Sequence, residues 1–133
     1  MRKKILVVED DPDLVELLSF NLRGCGFTVS AAADGIDALK KARSIVPDLI
    51  LLDLMLPELD GFAVCETLRR EPATAGIPII IVTAMSSHIA RLTGMEAGAN
   101  DFITKPFSPK QLISRVQDLL SKSAFQPTTR AVS

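Results

Sequence analysis

The chain has 133 residues, a formal net charge of −1, and a composition that is 47% hydrophobic and 23% charged. These values fit one globular domain with a sizeable core, so they exclude a disordered chain. Because no basic run is present, they also argue against direct nucleic-acid binding, and no apolar run approaches the roughly 20 residues of a membrane span.

Short apolar runs alternate with amphipathic stretches from the N-terminus onward. Residues 5–8 are continuously apolar, which predicts a strand buried on both faces. Asp11 and Pro12 then fit the N-cap and the first position of a helix that ends near Gly24. The later elements are predicted as a strand over 27–32, a helix over 34–44, a strand over 48–52, a helix from 60–61 to about 70, a strand over 79–82, a helix from 86 to about 97, a strand at 102–103 and a helix after the capping box at 108–111.

Five predicted strands alternating with five predicted helices indicate an α/β fold. Strands that are apolar throughout need helices on both faces, and right-handed crossovers then give an open, doubly wound parallel sheet. We expect one domain over residues 1–122. Residues 123–133 lack hydrophobic periodicity and contain Pro127, so we predict a flexible tail or the start of a linker there.

Polar side chains occur at the ends of four predicted strands. They are Glu9, Asp10 and Asp11 after the first strand, Asp53 after the third, Thr83 after the fourth and Lys105 after the fifth. Ligands of open parallel sheets bind outside the carboxyl ends of the strands. We therefore expect these groups to meet at one edge of the sheet, although at any single position a helix cap or a surface charge is the commoner role.

The combination of carboxylates, a hydroxyl and an ammonium group favours phosphoryl chemistry. Carboxylates gathered within a few ångströms repel one another by on the order of 4 kcal/mol per contact at an effective dielectric of 20. Lys105 alone cannot offset three of them, whereas a divalent cation such as Mg²⁺ can. An aspartate can attack a phosphoryl group to form an acyl phosphate, with the cation and Lys105 neutralising the transferring charge.

Four stretches in the same order resemble the motifs of receiver domains in two-component response regulators. They are ILVVEDD at 5–11, LILLDLMLP at 49–57, IVTA at 81–84 and ITKPF at 103–107. The likeness spans residues 3 to about 122, and the chain looks most similar to receivers of winged-helix transcription regulators and of some cyclase-linked regulators. It implies a (βα)5 flavodoxin-like receiver fold with strand order 2-1-3-4-5, and a phosphorylation-controlled signalling switch rather than an enzyme.

The resemblance also implies a role for each acidic residue of the site. Asp53 is the phosphoacceptor, which takes its phosphoryl group from a phosphohistidine of a sensor histidine kinase. Asp10, Asp53 and the backbone carbonyl of Met55 ligate Mg²⁺, or Mn²⁺ in its place. Glu9 acts mostly through water.

For the switch, the resemblance implies that Thr83, Ala84 and Lys105 contact the phosphoryl group and that the Lys105–Pro106 peptide is cis. Phe102 stands at the family's switch position. Movement of Thr83 toward the phosphate would let Phe102 turn inward and reshape the face formed by the fourth helix, the fifth strand and the fifth helix. That change would alter the binding of a downstream output protein or domain.

Receivers of this kind often form phosphorylation-dependent homodimers through that same face. Asp101 and Arg115 fit the expected ion pairs. Arg91, however, has Gln111 where an acid is expected, and Asn100 replaces another acid. Two of the three expected pairs are thus weakened. This affects partner choice more than affinity, because an exposed pair contributes only about 0–1 kcal/mol.

Two other functions use related residues. A phosphohydrolase of the haloacid-dehalogenase type also has an aspartate nucleophile, Mg²⁺, a threonine and a lysine, but it usually needs a second acid where this chain has Met55. An FMN carrier of the flavodoxin type would need a hydroxyl-rich first loop and flanking aromatic residues. This chain has an acidic loop there and contains no Trp or Tyr.

The two cysteines, Cys25 and Cys65, are far apart and lack the spacing of a metal site. We expect buried or half-buried free thiols, and a protein of the reducing cytoplasm. No second apolar pattern follows residue 122. The chain is therefore expected to be either a stand-alone receiver that acts by docking or a fragment of a longer regulator.

Overall fold

A computed structural model describes the backbone of residues 2–132 and the side chains of residues 2–122. Within these residues, five parallel strands alternate with five helices and lie in the order β2-β1-β3-β4-β5. The elements are β1 Lys4–Val8, α1 Pro12–Gly24, β2 Thr28–Ala32, α2 Gly35–Ile45, β3 Leu49–Leu52, α3 Gly61–Arg70, β4 Ile79–Thr83, α4 His88–Glu96, β5 Asp101–Thr104 and α5 Pro109–Val132. The predicted doubly wound sheet and its strand order are confirmed.

The first four helices begin where a short polar side chain satisfies the free backbone N–H groups of the first turn. Asp11, Asp34, Asp60 and Ser87 are the N-caps, and each accepts a hydrogen bond from a backbone N–H two or three residues later. The fifth helix starts in the same way, with the N–H of Gln111 donating to Ser108 Oγ over 3.4 Å. Helix starts are therefore set locally by the sequence.

The core forms two layers, one on each face of the sheet. Alternate residues of a strand point to opposite faces, so a continuously apolar strand supplies both layers. One layer joins α2, α3 and α4 to Leu6, Val8, Ile50, Leu52, Ile79 and Ile81. The other joins α1 and α5 to Ile5, Val7, Leu49, Leu51, Ile80 and Val82.

Two expectations about the chain's periphery have different outcomes. Cys65 is buried, as predicted, and its thiol donates to the carbonyl of Ala97 over 3.4 Å. Cys25 is exposed, contrary to prediction, because it is the C-cap of α1 in a surface turn. The backbone of α5 continues to Val132, but the side chains of residues 123–133 lie outside the described part, so the tail stays a prediction.

The outer edge of β2 is covered by basic side chains from the helices on either side. Carbonyls at alternate positions of this edge strand point away from β1. Arg23 of α1 donates to the carbonyl of Val29 over 3.5 Å, and Lys41 of α2 donates to the carbonyl of Ala31. Among the described residues, no helix is long and apolar enough to cross a membrane.

Candidate functional site

The backbone ladder extends past the strand ends and fixes the polar residues that follow them. The N–H of Asp53 donates to the carbonyl of Val8, over 3.0 Å. The N–H of Lys105 donates to the carbonyl of Thr83, over 2.8 Å. Because the strands are parallel and adjacent, their carboxyl ends open on one edge of the sheet, where a ligand can bind.

Three carboxylates meet at this edge. One oxygen each of Glu9, Asp10 and Asp53 lies within 4.8 Å of the other two. Glu9 and Asp53 are each only 5% exposed, whereas Asp10 is open to solvent. The predicted acidic cluster is thus present, with two buried members and one exposed member.

Lys105 connects the two buried carboxylates. Its Nζ donates to Glu9 Oε1 over 2.6 Å and to Asp53 Oδ2 over 3.0 Å. Burial opposes the charged form of Lys105, but the hydrogen bonds to Glu9 and Asp53 outweigh it and raise the pKa of this ammonium. Burial raises the pKa of Glu9, against the hydrogen bond from Lys105, which lowers it.

The donor set fits a hard divalent cation. Three carboxylates face one ammonium, so in their ionised forms these groups carry two uncompensated negative charges. Mg²⁺ binds through one or two carboxylates, water and phosphate oxygens, and the exposed Asp10 leaves the cluster open on one side for water or phosphate. Met55 contacts Asp53 through its N–H, which donates to Oδ1 over 3.1 Å.

Thr83 closes β4 at the same edge, between the strands that end at Asp53 and Lys105. Its side chain is buried, and its Oγ1 accepts the N–H of Met85 over 3.3 Å. Ala84 follows it at the surface. A small exposed residue there leaves space above the strand ends. The Lys105–Pro106 peptide bond is cis.

Phe102 lies inside the fold, with 3% of its surface exposed. Its ring packs beside Gly94 of α4, where a Cβ atom would be 3.3 Å from the ring. Arg91 covers it, with Cζ 5.9 Å from the ring centroid. The resemblance implies that the Phe102 ring turns inward on phosphorylation. In this structure the ring is already buried, so it has no exposed position from which to turn. Phe102 has no hydroxyl that must reach water, so burying its ring leaves no polar group unpaired.

The residues of the expected dimer face make contacts within this chain. Arg115 NH1 donates to Asp101 Oδ2 over 2.6 Å, and Arg91 NH1 donates to the carbonyl of Phe102 over 3.3 Å. Asn100 Oδ1 accepts the N–H of Ile79 over 2.8 Å, so this side chain is held within the chain. Gln111 is exposed near the start of α5.

Sequence reasoning missed the part that Gly61 plays at the site. This glycine follows the N-cap Asp60 and lies directly against the backbone carbonyl of Asp53. Its N–H also donates to the carbonyl of Leu54, over 3.0 Å. The Asp-Gly pair signals a helix start, but only the folded chain shows what the helix start touches.

The family model described as the response regulator receiver domain matches residues 5–117. The DNA-binding response regulator MtrA of Mycolicibacterium smegmatis is 46% identical over 96% of this chain and 54% of its own length. The alkaline phosphatase synthesis transcriptional regulatory protein PhoP of Bacillus subtilis is 47% identical over 92% of this chain and 50% of its own length. The chain thus spans about half the length of these relatives.

A solved structure that is similar to this chain holds a magnesium ion. It is the receiver domain of the sensor histidine kinase PA1611 from Pseudomonas aeruginosa, with a magnesium ion coordinated in the active site cleft. It is 34% identical, has a TM-score of 0.84, and the match covers 91% of this chain and 99% of that one. With a matching fold, acidic cluster and family model, the chain belongs to the response regulator receiver domains.

Proposed function

We propose that Asp53 is the phosphoacceptor of this receiver domain and that its phosphorylation controls partner binding. The observation that carries the proposal is the bridge from Lys105 to Glu9 and Asp53 inside the acidic cluster. Of the three clustered carboxylates, Asp53 is the one at the end of the central strand β3. Its two oxygens have distinct donors, so its orientation is fixed before a phosphodonor arrives.

In the proposed transfer, an Asp53 carboxylate oxygen attacks the phosphorus of a phosphohistidine on a sensor histidine kinase. The new O–P bond forms as the P–N bond breaks, and the electron pair of that bond stays on the imidazole nitrogen. Lys105 lies 3.0 Å from Asp53 Oδ2 and can follow the developing negative charge on the phosphoryl oxygens. The Thr83 hydroxyl and the Ala84 N–H are assigned as donors to the phosphoryl group once it is attached.

Glu9, Asp10 and Asp53 are the residues that would hold Mg²⁺, with Mn²⁺ as a chemically similar substitute. We also assign the backbone carbonyl of Met55 as a ligand, because its residue already contacts Asp53. When bound, the cation supplies positive charge to the phosphoryl oxygens. Asp10, the exposed member of the cluster, can bind without losing a partner inside the protein.

Mg²⁺ will stabilise the folded domain if these carboxylates bind it. At a concentration of about 100 times the Kd, the free energy of unfolding should rise by about 2.7 kcal/mol. The variant Asp10→Asn should lose most of this increase, because one ligand is neutralised. Thermal or urea unfolding with and without Mg²⁺ measures the change.

The matched control is Asp11→Asn, which removes a neighbouring charge but keeps a good N-cap for α1. It should respond to Mg²⁺ like the natural sequence. Equal responses of all three proteins would contradict the assigned metal site.

We propose that the output surface is formed by α4, β5 and α5. Helix α4 exposes large apolar side chains: Ile89 is 75% exposed, Leu92 48% and Met95 40%. Exposed apolar residues that cluster on one helix suit a partner surface. A downstream protein or domain, or a second copy of the chain in a phosphorylation-dependent homodimer, would bind there.

The alternative function, a Mg²⁺-dependent phosphohydrolase that works through an aspartyl phosphate, is disfavoured by Met55, since a thioether cannot donate a proton to a leaving group. We therefore propose a binding switch and not an enzyme that turns over many substrates. An assay with a chromogenic phosphate monoester and Mg²⁺ should show no steady multiple turnover. Sustained turnover lost in Asp53→Asn would instead favour the phosphohydrolase.

We propose that the receiver domain comprises residues 1–122, and that 123–133 form a flexible tail or the start of a linker. Relatives twice as long are named DNA-binding regulators, so DNA binding is assigned to an output partner or domain and not to this domain. A regulator that acts on bacterial DNA works in the cytoplasm, where the free thiols of Cys25 and Cys65 stay reduced.

A further inference from the structure

Gly61, the first residue of α3, packs so closely against the backbone of Asp53 that no side chain fits at its position. A Cβ atom at this position would lie 2.4 Å from the carbonyl oxygen of Asp53 and 2.6 Å from the Cα of Leu54. Both neighbours are backbone atoms, so neither can rotate away as the end of a flexible side chain could. Reaching ordinary contact at 3.4 Å requires that α3 and the acceptor strand separate by about 1.0 Å.

Gly35, the first residue of α2, makes a second close approach to the same loop. A Cβ atom there would lie 2.5 Å from the carbonyl oxygen of Leu59 and 2.8 Å from its Cβ. Leu59 belongs to the segment 54–60 that joins Asp53 to α3. The starts of α3 and α2 therefore contact this segment at two places. Gly61 packs next to Asp53, and Gly35 packs against Leu59, six residues after Asp53.

The need for glycine at both positions is spatial. Neither Gly35 nor Gly61 has the positive φ that favours glycine, in contrast to Gly26 and Gly98. Gly76 provides the comparison: it also has no positive φ, and a Cβ atom there would meet nothing within 4 Å.

The segment that these glycines hold also positions the carboxylate of Asp53. Met55, two residues after Asp53, donates its N–H to Oδ1 over 3.1 Å, and Lys105 donates to Oδ2 over 3.0 Å. A shift of the backbone at residues 53–54 moves the carboxylate and the Met55 donor relative to Lys105, which is anchored to β4. Phosphoryl transfer depends mainly on positioning and electrostatics, so such a shift affects the reaction directly.

We propose that Gly61 is a positioning residue for phosphoryl uptake, which sets where the Asp53 carboxylate stands relative to Lys105 and the cation ligands, and that Gly35 supports it through Leu59. The proposal rests on the proposed role of Asp53. It predicts a graded effect, because Gly61 touches the acceptor itself and Gly35 touches only the segment that follows it.

The test measures the rate of phosphorylation by phosphoramidate with saturating Mg²⁺ for four proteins: the natural sequence, Gly61→Ala, Gly35→Ala and Gly76→Ala. A displacement near 1 Å reduces such rates by up to about 100-fold, so we expect a loss of about 30- to 100-fold for Gly61→Ala. Gly35→Ala should lose about three- to tenfold, and Gly76→Ala should stay within about twofold. The loss should appear in the maximal rate rather than in the donor concentration at half-maximal rate.

A purely structural role of Gly61 is tested with Ile5→Val. This change destabilises the core near the start of β1, at the opposite end of the strand from the site. This variant should lose thermal stability yet keep the natural phosphorylation rate. If Gly61→Ala is folded and phosphorylated at the natural rate, or if Ile5→Val is slowed as much as Gly61→Ala, the proposal is overturned. Should Gly61→Ala not fold, Gly35→Ala decides, and a natural rate for that variant overturns the proposal.

If the protein with the natural sequence takes up no phosphoryl group, the proposed function is wrong, and this inference fails with it. Phosphorylation of the natural sequence with no difference among the glycine variants would overturn only the inference. The two failures are thus distinguished within one set of measurements.

Discussion

Replacing Asp53 with asparagine will abolish phosphoryl uptake by the domain. The amide keeps the size of the side chain, so the hydrogen bond from the N–H of Met55 to Oδ1 can persist. The amide oxygen is a far weaker nucleophile than a carboxylate, and the cluster loses one of its three carboxylates. Treatment with phosphoramidate and Mg²⁺ should add one phosphoryl group to the natural chain and none to the variant, as read by intact mass.

The matched control for this variant is Asp60→Asn, in the same loop. Asp60 is an N-cap whose carboxylate accepts the N–H of Ala63 over 3.0 Å, and asparagine caps a helix equally well. This variant should be phosphorylated normally. Phosphorylation of Asp53→Asn to the natural extent would show that another residue is the acceptor.

Lys105→Ala will separate folding from switching. Removing the ammonium leaves the carboxylates of Glu9 and Asp53 buried without their shared cation, and breaking a buried ion pair in this way costs about 3–5 kcal/mol. A domain of this size tolerates such a loss if its stability is in the usual range of about 5–15 kcal/mol. Part of the lost stability should return with Mg²⁺, which neutralises the same carboxylates.

The consequence for function should be larger than the consequence for stability. Without Lys105, a phosphoryl group on Asp53 lacks the ammonium that contacts this carboxylate, so the α4-β5-α5 face should not respond to phosphorylation. Circular dichroism measures the fold, and hydrogen exchange in α4 before and after phosphodonor treatment measures the response. Lys40→Ala, at an exposed position of α2 outside that face, is the control. A natural change in α4 exchange in Lys105→Ala would refute the assigned role.

The fold was predictable because its signals are local. The strands β1, β3 and β4 are apolar at nearly every position, which indicates burial on both faces, and the helices begin at Asp or Ser caps that the sequence displays. The carboxyl-end rule for parallel sheets then places the acidic residues, Thr83 and Lys105 on one edge. Each of these steps needs only a few neighbouring residues.

The contacts inside the site were less predictable because they depend on distances across the sheet. Glu9 follows β1 and Lys105 follows β5, and two strands lie between them. Strand spacing of about 4.8 Å puts these strand ends roughly 14 Å apart. Only the path of the chain after β5, together with the long lysine side chain, brings Nζ to within 2.6 Å of Glu9. No pattern in the sequence measures that path.

The position of Phe102 and the exposure of Cys25 were missed for a related reason. The sequence gives no direct sign that Gly94 of α4 leaves space for the ring of Phe102. Cys25 was expected to be buried because free cysteines usually are, but its place at the C-cap of α1 puts it at the surface. In both cases a neighbour in the fold, and not the residue type, decided the outcome.

The covered edge of β2 has a consequence for how this domain behaves at high concentration. An uncovered outer strand offers carbonyl acceptors to any other extended chain and invites uncontrolled strand addition. Arg23 and Lys41 occupy the carbonyls of Val29 and Ala31, so these two acceptors are not free to receive a strand of a neighbouring molecule. The domain can therefore expose the apolar side chains of α4 on the proposed output surface while the outer strand β2 resists strand addition.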